Sequence, residues 1–215
     1  MRNVIKRYVL FFLSLVVMGL GISLVTKSDL GTSSISSIPY VLSIIYPLSF
    51  GAFTFISNVT FVLLQILILR KDFPKNQYLQ LIVGPFLGLF IDLGMFLFKW
   101  ISPTYYLTKL LILLIGSIVL AFGIFLQLTA DVITNPGEGI VKAIAIKTGK
   151  DFGNVKVVFD SILVLIAGIF SFIAKGSILG IREGTLITAI IVGPIIKGFR
   201  KLCDSVKCNI IEKWF

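Results

Sequence analysis

The sequence predicts an all-α membrane protein: six transmembrane helices arranged as two inverted three-helix repeats, each with a short helix that is non-spanning or re-entrant. Three observations predict it. Of 215 residues, 57% are hydrophobic and 14% charged, with a mean hydropathy of +1.02, far from the balance of a soluble domain. Uncharged stretches run from Tyr8 to Thr26, Leu30 to Leu69, Asn76 to Ile91 and Leu110 to Ala130, lengths suited to a hydrocarbon core roughly 30 Å thick. The chain also repeats itself at an offset of 102 residues.

The spans are expected at about 8–26, 50–69 and 77–98 in the first half and about 107–130, 156–174 and 184–200 in the second. The last two carry Asp160 and Lys197 but are otherwise strongly apolar. Helices are preferred to strands because unsatisfied backbone groups are costly in lipid and no alternating barrel pattern is present. The first span follows Arg2, Lys6 and Arg7 as a signal peptide would, yet no small-residue cleavage site follows it, so it is read as a permanent helix.

Charge sets the orientation. Fifteen of the 20 Lys and Arg residues fall at the amino terminus, in the second-to-third-span connection, between Lys142 and Lys156, and at the carboxyl end. Lys27, Lys99, Lys109, Lys175 and Arg182 lie in or beside the alternate connections. The positive-inside rule then places both termini in the cytoplasm and accounts for the net charge of +10 without a nucleic-acid partner. The partner in every case is the lipid bilayer.

The repeat superimposes Gly21 on Gly123, Ile22 on Ile124, Leu24 on Leu126, Asp29 on Asp131, Ile38 on Ile140, Phe50-Gly51 on Phe152-Gly153 and Asn58 on Asp160. After about seven inserted residues, Ile82-Val83-Gly84-Pro85 meets Ile191-Val192-Gly193-Pro194. Residues 1–101 and 102–202 therefore read as the two halves, and residues 203–215 as a cytoplasmic amphipathic tail with Leu202, Val206, Ile210 and Trp214 on one stripe. An odd number of spans per half inverts the second half relative to the first.

Each half opens with a long helix ended by an Asp-containing break. The short segments that follow, about Ser33–Ile45 and Asn135–Thr148, are too short to cross a bilayer comfortably. Thr32, Ser33 and Ser34 offer hydroxyl caps to the first; Asn135 caps the second, Pro136 suits its first turn and Glu138 occupies the capping-box position.

The run Gly19-Leu20-Gly21-Ile22-Ser23-Leu24 leading into Lys27-Ser28-Asp29-Leu30-Gly31 resembles the YczE/YyaS/YitT family of bacterial membrane proteins. So do Leu48-Ser49-Phe50-Gly51, Gly84 to Asp92, Asp131 to Gly137, Gly184-Thr185 and Gly193-Pro194, which together cover most of the chain. Two departures stand out: Lys27 replaces an expected arginine, and Asn135-Pro136-Gly137 follows a less glycine-rich break. The resemblance implies a multi-pass protein of the bacterial cytoplasmic membrane and names no substrate.

Candidate substrate- or ion-binding residues are Asp29, Asn58, Asp92, Asp131 and Asp160. An ionised side chain within a span is costly unless paired or wet. Each has a structural reading beside the functional one: Asp29 and Asp131 as caps at their breaks, Asn58 in interhelical hydrogen bonding, Asp160 as partner of Lys156 one turn earlier. Gly84-Pro85 and Gly193-Pro194 are candidate hinges that interrupt the last helix of each half. No histidine is present, Cys203 and Cys208 lack companion ligands, and no nucleotide-binding loop occurs, so no metal, cofactor or enzymatic chemistry is expected. Two functions fit: a small secondary transporter or permease for a small molecule or ion, with a site between the halves, or a non-transporting accessory or scaffold that supports a biosynthetic or export assembly as a homodimer or with a membrane partner.

Overall fold

A computed structural model describes residues 2–205 and, among them, contains helices and no strand. The order is α1 (Arg2–Lys27), a 3₁₀ turn (Ser34–Ser36), α2 (Ser37–Ile45), α3 (Phe50–Leu69), two further 3₁₀ turns (Arg70–Asp72 and Lys75–Leu79), α4 (Gln80–Leu97), α5 (Tyr106–Ala130), α6 (Pro136–Thr148), α7 (Phe152–Lys175) and α8 (Glu183–Ser205). The pattern long, short, long, long thus occurs twice. Most of the expected tail, with Val206, Cys208, Ile210 and Trp214, lies outside the described residues.

Among the described residues, five helices are long and apolar enough to cross a membrane: Ile5–Lys27, Phe50–Asp72, Lys75–Leu97, Tyr106–Ala130 and Phe152–Lys175. α8 is not among them. It has 23 residues, but Lys197, Arg200 and Lys201 crowd its second half. Polarity is distributed as lipid demands. Large apolar side chains such as Leu67, Ile173 and Ile190 point outward, while Ser14, Ser23, Ser117, Ser171 and Thr185 are buried between helices. Small and hydroxyl residues let helix backbones approach, and the hydroxyls return their hydrogen bonds to nearby carbonyls. Ser23 Oγ donates to Gly19 O and also reaches Ile91 O on α4, each at 2.8 Å.

α1 and α5, the first helix of each half, form the central pair. They pack antiparallel on glycine: a Cβ at Gly21 would lie 2.5 Å from the Leu120 nitrogen, one at Gly123 2.6 Å from Met18 Cγ, and one at Gly116 2.6 Å from the Val25 nitrogen. Gly21 and Gly123 are repeat mates, as are Met18 and Leu120, so the first two contacts are the same contact made twice. The other pairings are reciprocal too. α4 lies on α1 and α8 on α5; α3 packs on α6 and α2 on α7. Phe61 and Leu163, again 102 residues apart, share one cluster with Ile140 and its repeat mate Ile38.

One pairing is not repeated. α3 runs along α4, whereas α7 and α8 share at most marginal contact. On the α3–α4 seam, a Cβ on either Gly51 or Gly88 would collide with the other's carbonyl oxygen. Asp92 closes that seam by accepting from Gly51 N (2.7 Å) and Ser49 Oγ (2.5 Å) at the start of α3. Continuing the repeat alignment puts Lys197 where Gly88 stands and Lys201 where Asp92 stands, so the second half lacks both parts of the clasp.

The structure corrects two local expectations. Neither proline interrupts its helix: α4 continues through Pro85 and α8 through Pro194. A proline removes only its own N–H and disturbs the carbonyl one turn back, which the remaining ladder absorbs. The hydroxyls before α2 also do not cap it. The chain enters through the 3₁₀ turn, which directs Ser33 Oγ to Ser36 Oγ (2.9 Å), while Thr32 Oγ1 accepts from Thr26 Oγ1 (3.0 Å).

Candidate functional site

Between the halves lies a cavity of about 190 Å³. α1 and α5 supply its apolar floor through Met18, Ile22, Leu120 and Ile124; Phe61, Leu87, Val192 and Ile196 continue that lining. The polar wall comes from Ser33, Ser34 and Ser36 of the first break, Thr54, Ser57 and Asn58 of α3, Asn135 and Glu138 at the start of α6, Lys156 and Asp160 of α7, and Thr188 of α8.

Two repeat mates face each other's half here with unmet hydrogen-bonding capacity. Asn58 is 4% exposed and its Nδ2 has no partner; Asp160 Oδ1 is likewise buried and unpartnered. Asp160's other oxygen takes Lys156 Nζ at 3.2 Å, the expected one-turn ion pair. Buried polar atoms are nearly always satisfied, so these two atoms leave the cavity one donor and one acceptor to be met from within it. Their surroundings differ in one respect. Gly84 on α4 closes over Asn58, with a Cβ there 3.4 Å from Asn58 Cβ, whereas its mate Gly193 on α8 has nothing within 4 Å of a Cβ.

Glu138 is also here. Asn135 does cap α6, accepting from Gly137 N at 3.3 Å, and Glu138's backbone N–H bonds to Asn135 O at 3.0 Å. The Glu138 carboxylate, however, lines the cavity instead of closing a capping box. α6 lies outside the five apolar spans. Burial pushes this carboxyl above its ordinary range; Lys156 pulls it back and Asp160 raises it further.

The remaining acidic candidates stand elsewhere. Asp29 and Asp131 both have left-handed backbones, with φ 59° and 45°, and end α1 and α5. Asp29 is paired with Lys109, and Arg182 donates to its carbonyl at 3.0 Å. Asp131 takes Arg7 at 3.3 Å, and Arg7 also donates to the Asp131 carbonyl at 2.6 Å. Arg7 and Lys109 are themselves 102 residues apart, so the first helix of each half clasps the break of the other. Asp92 serves the α3 N-terminus. Of the five binding candidates offered by the sequence, the cavity gathers Asn58 and Asp160 and not Asp29, Asp92 or Asp131; Ser33, Ser34, Asn135 and Glu138, expected as caps, and Gly193, expected as a hinge, also line it, and Thr54, Ser57 and Thr188 were not found. Those hydroxyl residues carry no sequence signal, because Ser and Thr are equally at home bonding the preceding turn of any membrane helix.

The uncharacterized protein YyaS of Bacillus subtilis (strain 168) is 27% identical over 200 residues, which cover 92% of this chain and 94% of that protein. No solved structure matches. The resemblance carried by the Gly19 to Gly31 region agrees with this relative, and a family model described as a family of unknown function (DUF6198) matches residues 5–201. The chain belongs to that family, and its apolar helices make it a multi-pass membrane protein.

Proposed function

We propose that the chain is a small secondary transporter or permease whose substrate binds in the cavity between two inverted halves, residues 1–101 and 102–202. The observation that carries this reading is the meeting of Asn58 and Asp160, repeat mates from opposite halves, as unpartnered polar groups in one cavity. Inverted repeats place substrate sites at their interface near the midplane. The antiparallel, reciprocal packing of α1 and α5 supports inversion, with α8 as a sixth span and both ends in the cytoplasm of a bacterium. The unequal seams support access from one side: α3–α4 is shut by its glycines and Asp92, while α7–α8, which lacks their counterparts on α8, is apart.

Reconstitution into liposomes under an imposed proton gradient tests the reading, using a panel of small organic cations, anions, zwitterions and neutral solutes. We expect solute-dependent flux with one class, lost in Gly193→Phe. Gly193 lines the cavity and a Cβ there meets nothing within 4 Å, so a side chain can start from this position without striking the backbone. Absence of flux across the whole panel would leave the accessory or scaffold reading in its place.

A further inference from the structure

The geometry points to the class of solute, an inference that rests on the cavity being a binding site: we propose that it takes a small organic monocation, an ammonium with an apolar body and a hydrogen-bond acceptor, in exchange for a proton. Three charged side chains face the cavity, Glu138, Lys156 and Asp160. Lys156 pairs with Asp160 at 3.2 Å and also acts on Glu138, so one lysine faces two carboxylates and the three side chains together leave one negative charge uncompensated. An uncompensated carboxylate away from bulk water is expensive and is relieved only by a proton or a cation. The occupied site is therefore one or the other. When the ammonium enters, Glu138 releases its proton to water, and when the proton returns the ammonium leaves.

The orphan atoms define the rest of the solute. Asp160 Oδ1 lacks a donor, which the ammonium N–H supplies, and the 96%-buried Asn58 presents Nδ2 without an acceptor, which calls for an oxygen on the solute. The apolar floor favours an organic cation over a bare metal ion. The floor is Met18, Ile22, Leu120 and Val192, and the space of about 190 Å³, on the order of six waters, leaves room for an apolar body that a bare ion does not have. The apolar floor suits a hydrocarbon body.

Equilibrium binding to the full chain in nanodiscs of zwitterionic lipid, corrected against empty discs, tests this with phenylalaninol as the cation, 3-phenylpropanol as the neutral analogue and 3-phenylpropionate as the anion. The cation is expected to bind at least tenfold more tightly than the alcohol, with no measurable binding of the anion. Asp160→Asn and Glu138→Gln should each weaken cation binding tenfold or more. Lys156→Gln removes the internal competitor for Asp160 and should tighten it several-fold, a gain that misfolding does not produce. The proposal is overturned if the anion or the alcohol binds as well as the cation, if Lys156→Gln fails to tighten binding, if millimolar sodium displaces the cation, or if none of the three binds. Binding without flux would sink the transport reading and leave the solute class standing; flux of an anion would do the reverse.

Discussion

At Asp29 and Asp131, one residue type does one job twice. A left-handed backbone costs a residue with a Cβ roughly 1–2 kcal/mol, and aspartate tolerates it because its short side chain bonds locally. Each carboxylate then meets a cation from the opposite half, Lys109 or Arg7. The Asp131 side chain is largely exposed, so its ion pair contributes little and its backbone conformation is the larger effect. Asp131→Ala is therefore expected to lower stability by about 1 kcal/mol and Asp131→Asn by less, because asparagine shares the left-handed preference; thermal unfolding in detergent measures both. Glu138 gives the other prediction at this scale. Lys156 and Asp160 of α7 are the charged groups that face it, while α3, α8 and the Ser34–Ser36 turn present Asn58 and hydroxyls. Because burial raises its pKa, the carboxylate that attracts the ammonium is fully present above that pKa and is lost as pH falls through it. Phenylalaninol binding should then weaken by about tenfold per pH unit on the acid side, one proton per cation, and Glu138→Gln should flatten the profile.

The two seams show what decides helix pairing once every surface is apolar. α3 and α4 stay together because two glycines bring their backbones into contact and Asp92 bonds across the top; α7 and α8 have a lysine in each corresponding place on α8. Gly88→Ala should cost about 1–3 kcal/mol by driving a methyl group into the Gly51 carbonyl. Gly193→Ala should be neutral or stabilising by up to about 1 kcal/mol, since only helix propensity changes there. Unfolding midpoints of the two variants, compared side by side, separate a sealed seam from an open one. Much at this scale was legible beforehand. α3 begins at Phe50 and ends at Leu69 as the charge-free run and its flanks required, and α6 starts at Pro136 behind an Asn135 cap. Local chemistry writes such boundaries into neighbouring residues. The Asp92 clasp was not legible, because its partners Ser49 and Gly51 are 41–43 residues away. Continuous helices through Pro85 and Pro194 were missed for the same reason: surrounding helices, not the Gly-Pro pair, decide whether a proline breaks a membrane helix.

For the molecule as a whole, the antiparallel packing of α1 and α5 is what the proposed inversion of residues 102–202 relative to residues 1–101 requires. The break after α1 and the break after α5 then lie at opposite ends of the central pair, each gripped by a basic residue from the start of the other helix. With α2 and α6 not crossing, the count of crossings rests on α8, whose charged second half sets it apart from the five apolar spans. If α8 spans, its charges emerge on the side that holds Lys6 and Arg7, and the tally of cytoplasmic lysine and arginine is consistent. A cysteine at position 6 or 202 should then react with a membrane-impermeant maleimide only in inside-out vesicles, and one at position 100, in the α4–α5 connection, only in intact cells, with Cys203 and Cys208 replaced by serine. Labelling of position 202 from outside would mean that α8 does not cross. The second half would then have two spans against three, Thr188 and Gly193 would not stand opposite Asn58 within the bilayer, and a pathway between two equal halves would lose one of its walls.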